Sequence, residues 1–189
     1  MGIALFGRWL GRSGQSVTNT TNDEKTIEPT DAESQFDLAR KLAGEGASQN
    51  LAQAAECYLK AANQGHSVAQ FNLGMMYGQG QGVVRDQMTA LMWLRKAAEL
   101  GHATAQYHVG VRQHRASKGR PLAEASECRM EAFKWLELAV AQGHRGSAAA
   151  LEFVALNMTR EEVNEGGRRA LTFAADRAKP GGNANYTIC

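Results

Sequence analysis

The sequence predicts an all-α solenoid built from helix–turn–helix units of about 36 residues, and three observations carry that expectation. First, a phrase recurs. "AANQGHSVAQF" (Ala61–Phe71) returns as "AAELGHATAQY" (Ala97–Tyr107) 36 residues later, and as "AVAQGHRGSAA" from Ala139 after a further 42. Second, each Gly-His pair is preceded by apolar residues at the i, i+3, i+4, i+7 spacing of an amphipathic helix. Third, each is followed by another helical stretch with one small residue at a fixed place. A period of this length marks architectures in which no unit buries its apolar face alone, so neighbours stack to share a core.

In chain order, residues 1–30 come first. "MGIALFGRWLGRSG" places Ile3, Phe6, Trp9 and Leu10 on one helical face beside Arg8 and Arg12, a pattern suited to a membrane surface or a partner groove. Its apolar run is too short for a signal-peptide core or a membrane span. Residues 11 to about 30 are polar and read as a flexible linker. The solenoid is expected over 31–178, with repeats at about 31–66, 67–102 and 103–144, a C-terminal helical cap at 145–178 and a tail at 179–189.

Within each repeat the first helix carries an aromatic, an aliphatic two later, then a small residue: Phe36, Leu38, Ala39; Phe71, Leu73, Gly74; Tyr107, Val109, Gly110. Glycine inside a helix costs about 1 kcal/mol relative to alanine. Its recurrence therefore implies close approach of the partner helix. The second helix carries Ala54, Ala55, Cys57, Tyr58 and Ala61 in one copy, Ala90, Leu91, Trp93, Leu94 and Ala97 in the next, and Ala132, Phe133, Trp135, Leu136 and Ala139 in the third. Between the helices, "GQGQGVVRD" (Gly78–Asp86) has neither the preceding strand nor the G-x-G-x-x-G spacing of a dinucleotide loop. It reads as a turn, with Asp86 as the N-cap of the next helix and Val83 or Val84 plugged into the core. The first repeat has "GEGASQN" there, with Asn50 in the Asp place. The third repeat has six extra residues, Gly110 to Ala132 spanning 22 against 16 from Gly74 to Ala90, which predicts an elongated basic loop. Beyond residue 144, "TREE" (Thr159–Glu162) is a capping box, and Val163, Ala170, Leu171 and Ala174 give the last helix an apolar side weakened by Gly166-Gly167.

Residues 69–102 resemble the Sel-one-like repeat family, relatives of the tetratricopeptide repeats. The likeness rests on Ala69, Gln70, Leu73, Gly74, Tyr77, Gly82-Val83, Asp86, Ala90, Trp93, Ala97-Ala98 and Gly101-His102. The resemblance implies a right-handed α/α superhelical solenoid whose concave face binds proteins or peptides, in a non-enzymatic adaptor of complex assembly, with bacterial members common. Some secreted relatives with a cysteine pair in every repeat have been linked to β-lactam hydrolysis. Here Cys57 and Cys128 are single, which removes most of the support for carrying that activity over and leaves such a hydrolase as the less favoured alternative.

The chemistry that can be excluded is broad. A formal charge of +2 over 189 residues offers little to nucleic acid, so none is expected. Three scattered cysteines fit a reducing, cytoplasmic setting rather than a disulfide framework. His66, His102 and His144 recur once per repeat, a helix-pair width apart, too far to converge on one metal. They read as ends of the second helices, where a cation suits the dipole. No nucleophile–base arrangement appears, and no catalytic residue, metal or other cofactor is expected. The expected function is a protein-interaction scaffold, with a peripheral membrane adaptor anchored by residues 1–12 as the alternative. By analogy with tetratricopeptide geometry, Asp37, Asn72 and His108 form one line along the concave groove, and Arg40, Met75 and Val111 another. The basic stretch Arg112, Arg115, Lys118 and Arg120 is a candidate site for an acidic partner.

Overall fold

The computed structural model describes residues 31–179, and the predicted amphipathic start, linker and tail lie outside them. These residues form α1 (Ala32–Gly44), α2 (Ser48–Asn63), α3 (Ser67–Gln79), α4 (Gln87–Glu99), α5 (Ala103–Ser117), α6 (Leu122–Ala141), α7 (Ser147–Ala155) and α8 (Arg160–Ala178), with no strand among them. Helices pair as hairpins, α1 with α2, α3 with α4 and α5 with α6, and the second helix of each hairpin packs on the first helix of the next unit. The fold is the expected α/α solenoid.

The fixed small residue is explained by contact. A Cβ added at Gly74 would sit 3.0 Å from Leu94 Cγ and 3.1 Å from the Ala90 carbonyl oxygen, and one at Gly110 would sit 2.7 Å from Leu136 Cγ. Ala39, the equivalent in the first unit, is fully buried. The interior these pairs enclose is formed by Leu73, Leu94, Val109, Leu136 and the Trp93 and Trp135 rings. Burying a side chain of this size contributes roughly 1.5–3 kcal/mol, so the apolar period of the second helices is what holds the hairpins shut.

The turns follow the sequence only in part. Asp86 caps α4 as expected, accepting the Met88 and Thr89 N–H groups and the Thr89 hydroxyl. Val83 packs into the first core cluster, while Val84 is exposed. Asn50 is no cap: α2 starts before it, and its amide donates to the Glu45 carboxylate at 2.6 Å. The six extra residues of the third unit make no long loop. They lengthen α5 to 15 residues and α6 to 20, and the turn between them is only Lys118–Pro121, with Gly119 at φ +78°.

α7 continues the stack, but α8 does not complete a fourth hairpin with it. It lies along α6 instead. Its contact face is Gly166, Ala170 and Phe173, with Leu171 and Ala174 exposed, so the expected apolar side is only half right. A Cβ on Gly166 would lie 2.9 Å from the Phe133 ring, so this glycine serves packing as well as weakening the helix. The Thr159–Glu162 capping box forms. Arg169 then bridges Glu165 on α8 to Glu127 and Glu131 on α6, and Arg177 donates to the Glu99 and Leu100 carbonyls at the C-terminal end of α4. A cation there meets the negative pole of the helix.

Candidate functional site

The face that could bind a partner is set by the joints between units, and those joints are built from the repeated phrase. After α2, the His66 N–H donates to the Ala61 carbonyl and the Gly65 N–H to that of Ala62. The same pair of bonds recurs at His102 with Ala97 and Gly101 with Ala98, and at His144 with Ala139. This is a Schellman C-cap, and Gly65, Gly101 and Gly143 supply its left-handed residue at φ +84°, +87° and +73°.

The histidine then turns to the following helix. His66 Nδ1 accepts the Ala69 N–H at 3.1 Å and His102 Nδ1 accepts that of Ala105 at 3.2 Å, so each is the N-cap of a first helix. This corrects the expectation of a cation closing the second helix, because a nitrogen that accepts a hydrogen bond carries no proton. In the third joint His144 Nδ1 meets the Ser147 hydroxyl at 2.8 Å. Each ring also stacks on the aromatic of the preceding unit: Phe36 on His66, Phe71 on His102, Tyr107 on His144, at centroid separations of 4.4, 4.6 and 4.9 Å. Finally, the buried amides of Gln70 and Gln106 donate to the Ala62 and Ala98 carbonyls. Cap, stack and amide fix how α1, α3 and α5 lie side by side.

Between α3 and α5 that arrangement leaves a concavity of about 410 Å³. Gly74, Met75, Gly78 and Gln79 of α3 form one wall, Tyr107, His108, Val111, Arg112 and Arg115 of α5 the other, and Arg85 and Gln87 close one end. Gln87 is held by a 2.9 Å bond from its amide to the Gly78 carbonyl. Burial, then the nearby Arg112 charge, then His144 hold the His108 imidazole below its ordinary pKa. Burial and the adjacent Arg115 push the Arg112 guanidinium down, though an arginine stays charged. No carboxylate lines the concavity.

The structure thus brings Met75, His108, Val111, Arg112 and Arg115 together. It leaves the other expected residues apart. Asp37 and Arg40 pair with each other on α1 at 3.1 Å, and Asn72 bonds the Tyr58 hydroxyl. Lys118 and Arg120 sit in the α5–α6 turn, Arg120 paired with Glu124 at 3.3 Å. Arg85, Gln87 and Gly78 also line the concavity and were not singled out from the sequence; the only signal was their place in or just after the glycine-rich stretch. A larger, shallower cleft of about 670 Å³ lies between α6 and α8, and most of its charges are already used, Glu162 by Arg129 and the Thr159 N–H, Glu165 by Arg168 and Arg169, leaving Glu161 as its one open charge among the described residues. Among the described residues no three His, Cys, Asp or Glu side chains are grouped to hold a metal ion, and no helix is long and apolar enough to cross a membrane.

The sequence pattern of the Sel1 repeat matches residues 32–66, 67–102 and 103–144, more than half of the chain. The chain belongs to the Sel1 repeat family. Solved structures agree on the fold. A protective antigen present in uropathogenic Escherichia coli strains, which displays an SLR fold, superposes with a TM-score of 0.64 at 22% identity over 84% of this chain. A Sel1 repeat protein from Oxalobacter formigenes superposes with a TM-score of 0.57 at 27% identity over 82%. The chain spans 35% of the first protein and 61% of the second. Comparison with curated proteins gives no match. Sel1 repeat proteins generally serve as protein-interaction scaffolds, and the fold is typically non-catalytic.

Proposed function

We propose that this Sel1 repeat chain is a cytoplasmic, non-enzymatic adaptor that holds a segment of a partner protein on the face formed by its first helices. The observation that supports this most is the convergence of side chains from α3, α5 and the α3–α4 turn on one open concavity, while Arg129, Glu162 and Glu165 of the α6–α8 cleft are spent on the fold itself. Met75 and Val111 give it apolar contact area, Arg112 and Arg115 give it charge, and the joints hold both walls rigid, which lowers the entropic cost of binding. Cys57 and Cys128 are not bridged to each other, which suits a reducing compartment.

The test fills the concavity without disturbing the fold. A Cβ on Gly78 would meet only ordinary contacts, Arg112 Nη2 at 3.6 Å and Ala90 Cβ at 3.7 Å, so the position admits a side-chain stem beside Arg112, and Gly78→Leu is used once its helicity and melting match wild type. Affinity capture from the source cell, wild type against Gly78→Leu, is expected to recover a protein with wild type and lose it with the variant. Equal recovery by both would refute the groove reading.

A further inference from the structure

We propose that the α3–α5 concavity takes an acidic linear peptide segment, with its carboxylates on Arg85, Arg112 and Arg115 and its apolar side chains on Met75 and Val111. The inference rests on the groove reading above and adds the chemistry of the partner.

The argument is one of charge left over. Elsewhere five arginines meet carboxylates, Arg40 with Asp37, Arg120 with Glu124, Arg129 with Glu162, Arg168 with Glu165, and Arg169 with three acids. Arg177 meets the carbonyls of α4, and Arg95, Arg145 and Arg160 form no ion pair among the described residues. In the concavity three guanidinium groups from two elements converge with no lining acid. The nearest carboxylate in sequence, Asp86, is engaged by two backbone N–H groups and the Thr89 hydroxyl at the start of α4. Arg112 is half-buried, so its charge is partly desolvated beside that of Arg115, an unfavourable arrangement that a bound carboxylate relieves.

The remaining walls say what carries the carboxylate. Gly78 presents bare helix surface on α3, Met75 and Val111 flank it, and Tyr107 is already stacked on His144. A base needs a free aromatic face and a nucleic acid a long cationic track, and a 410 Å³ concavity with one apolar side provides neither. Acidic and apolar side chains in alternation along an extended peptide match both the guanidinium groups and the methionine–valine wall. Guanidinium forks pair well with carboxylates, and their spread over α5 and the α3–α4 turn favours several carboxylates over one dense charge.

The test is fluorescence anisotropy of the full chain with a labelled Glu-Leu-Glu-Glu-Leu-Glu peptide, its all-Gln counterpart and a version with phosphoserine in place of the central glutamates. The Glu peptide is expected to bind at least about tenfold tighter than the Gln peptide and to weaken with added salt. Arg112→Gln combined with Arg115→Gln is expected to remove about tenfold or more of that affinity. Equal binding of the Glu and Gln peptides, no change in the double variant, or a clear preference for phosphoserine would each overturn the assignment. Its failure is separable from that of the groove reading. If Gly78→Leu abolishes partner capture while the Glu and Gln peptides bind alike, the groove stands and the carboxylate assignment falls. If Gly78→Leu leaves capture intact, the groove itself falls.

Discussion

Alanine at Gly110 and alanine at Gly78 make the same chemical change in two helices and are expected to move stability in opposite directions. Both replacements gain helix propensity, about 1 kcal/mol each. At Gly78 nothing opposes that gain, since the new Cβ would meet its nearest neighbours at 3.6 and 3.7 Å. At Gly110 the new Cβ would sit 2.7 Å from Leu136 Cγ and 3.1 Å from the Ala132 carbonyl oxygen. Leu136 is fully buried and the atom struck is its branch point, so relief requires α6 to move away. Overpacking of this kind costs roughly 1–3 kcal/mol, and a clash with both side chain and backbone belongs in the upper part of that range. Gly110→Ala should therefore lose about 1–2 kcal/mol net, while Gly78→Ala gains up to about 1. Urea unfolding with a common m-value reads the difference as midpoints shifted to opposite sides of wild type. A double-mutant cycle with Leu136→Ala should show the Gly110→Ala cost shrinking once the leucine is gone. If both alanines stabilise equally, close helix approach is not why the small residue recurs.

Three further outcomes follow from the joints and caps. Burial, followed by neighbouring positive groups, holds His102, His108 and His114 below the ordinary imidazole pKa, so the unfolded chain binds their protons first. Stability should be full above about pH 6.5 and fall as the pH drops below it. The carboxylates Asp31, Asp86, Glu162 and Glu165, whose pKa values are lowered, lose their contribution only at still lower pH. Burial raises Glu99 and Glu137, so they oppose the histidine trend toward the acid end, and the upper part of a melting series run down from pH 8 is where the histidines are read. His102→Asn keeps an N-cap acceptor but removes the imidazole, and should flatten that pH dependence; an unchanged slope would remove His102 from the account. Asp86→Ala should cost about 1 kcal/mol in the same urea assay, because two N–H groups at the start of α4 lose their acceptor, and no loss would contradict the cap.

Much of the fold was legible because its signals are local. The Gly-His phrase, Asp86, the Thr159–Glu162 box and the small residue at 74 and 110 each act within a turn or on one partner helix, so spacing alone located them. The histidines were misread because one residue serves two helices at once, as the C″ position of the first and the N-cap of the second. Periodicity ties it only to the helix it follows. The third unit's extra residues were read as a loop because the count exceeded its neighbours; they continue helical instead, and the break falls at Gly119 to Pro121. The groove was half legible. Equivalent positions in successive units point the same way, and Met75, His108 and Val111 do line the concavity, but a local i, i+3 pair holds Asp37 and Arg40. Arg85 reaches the site only through the path of the α3–α4 turn, with Gly80 and Gly82 at positive φ, and no periodicity encodes such a path.

The claim that the first-helix face is where this chain binds is tested most directly by mapping amide chemical-shift changes as the Glu-Leu-Glu-Glu-Leu-Glu peptide is added to the isotope-labelled protein. The account predicts changes concentrated at Met75, Gly78, His108, Val111 and Arg112, with α8 silent. Changes centred on the α6–α8 cleft, around Met130 and Glu162, would contradict it.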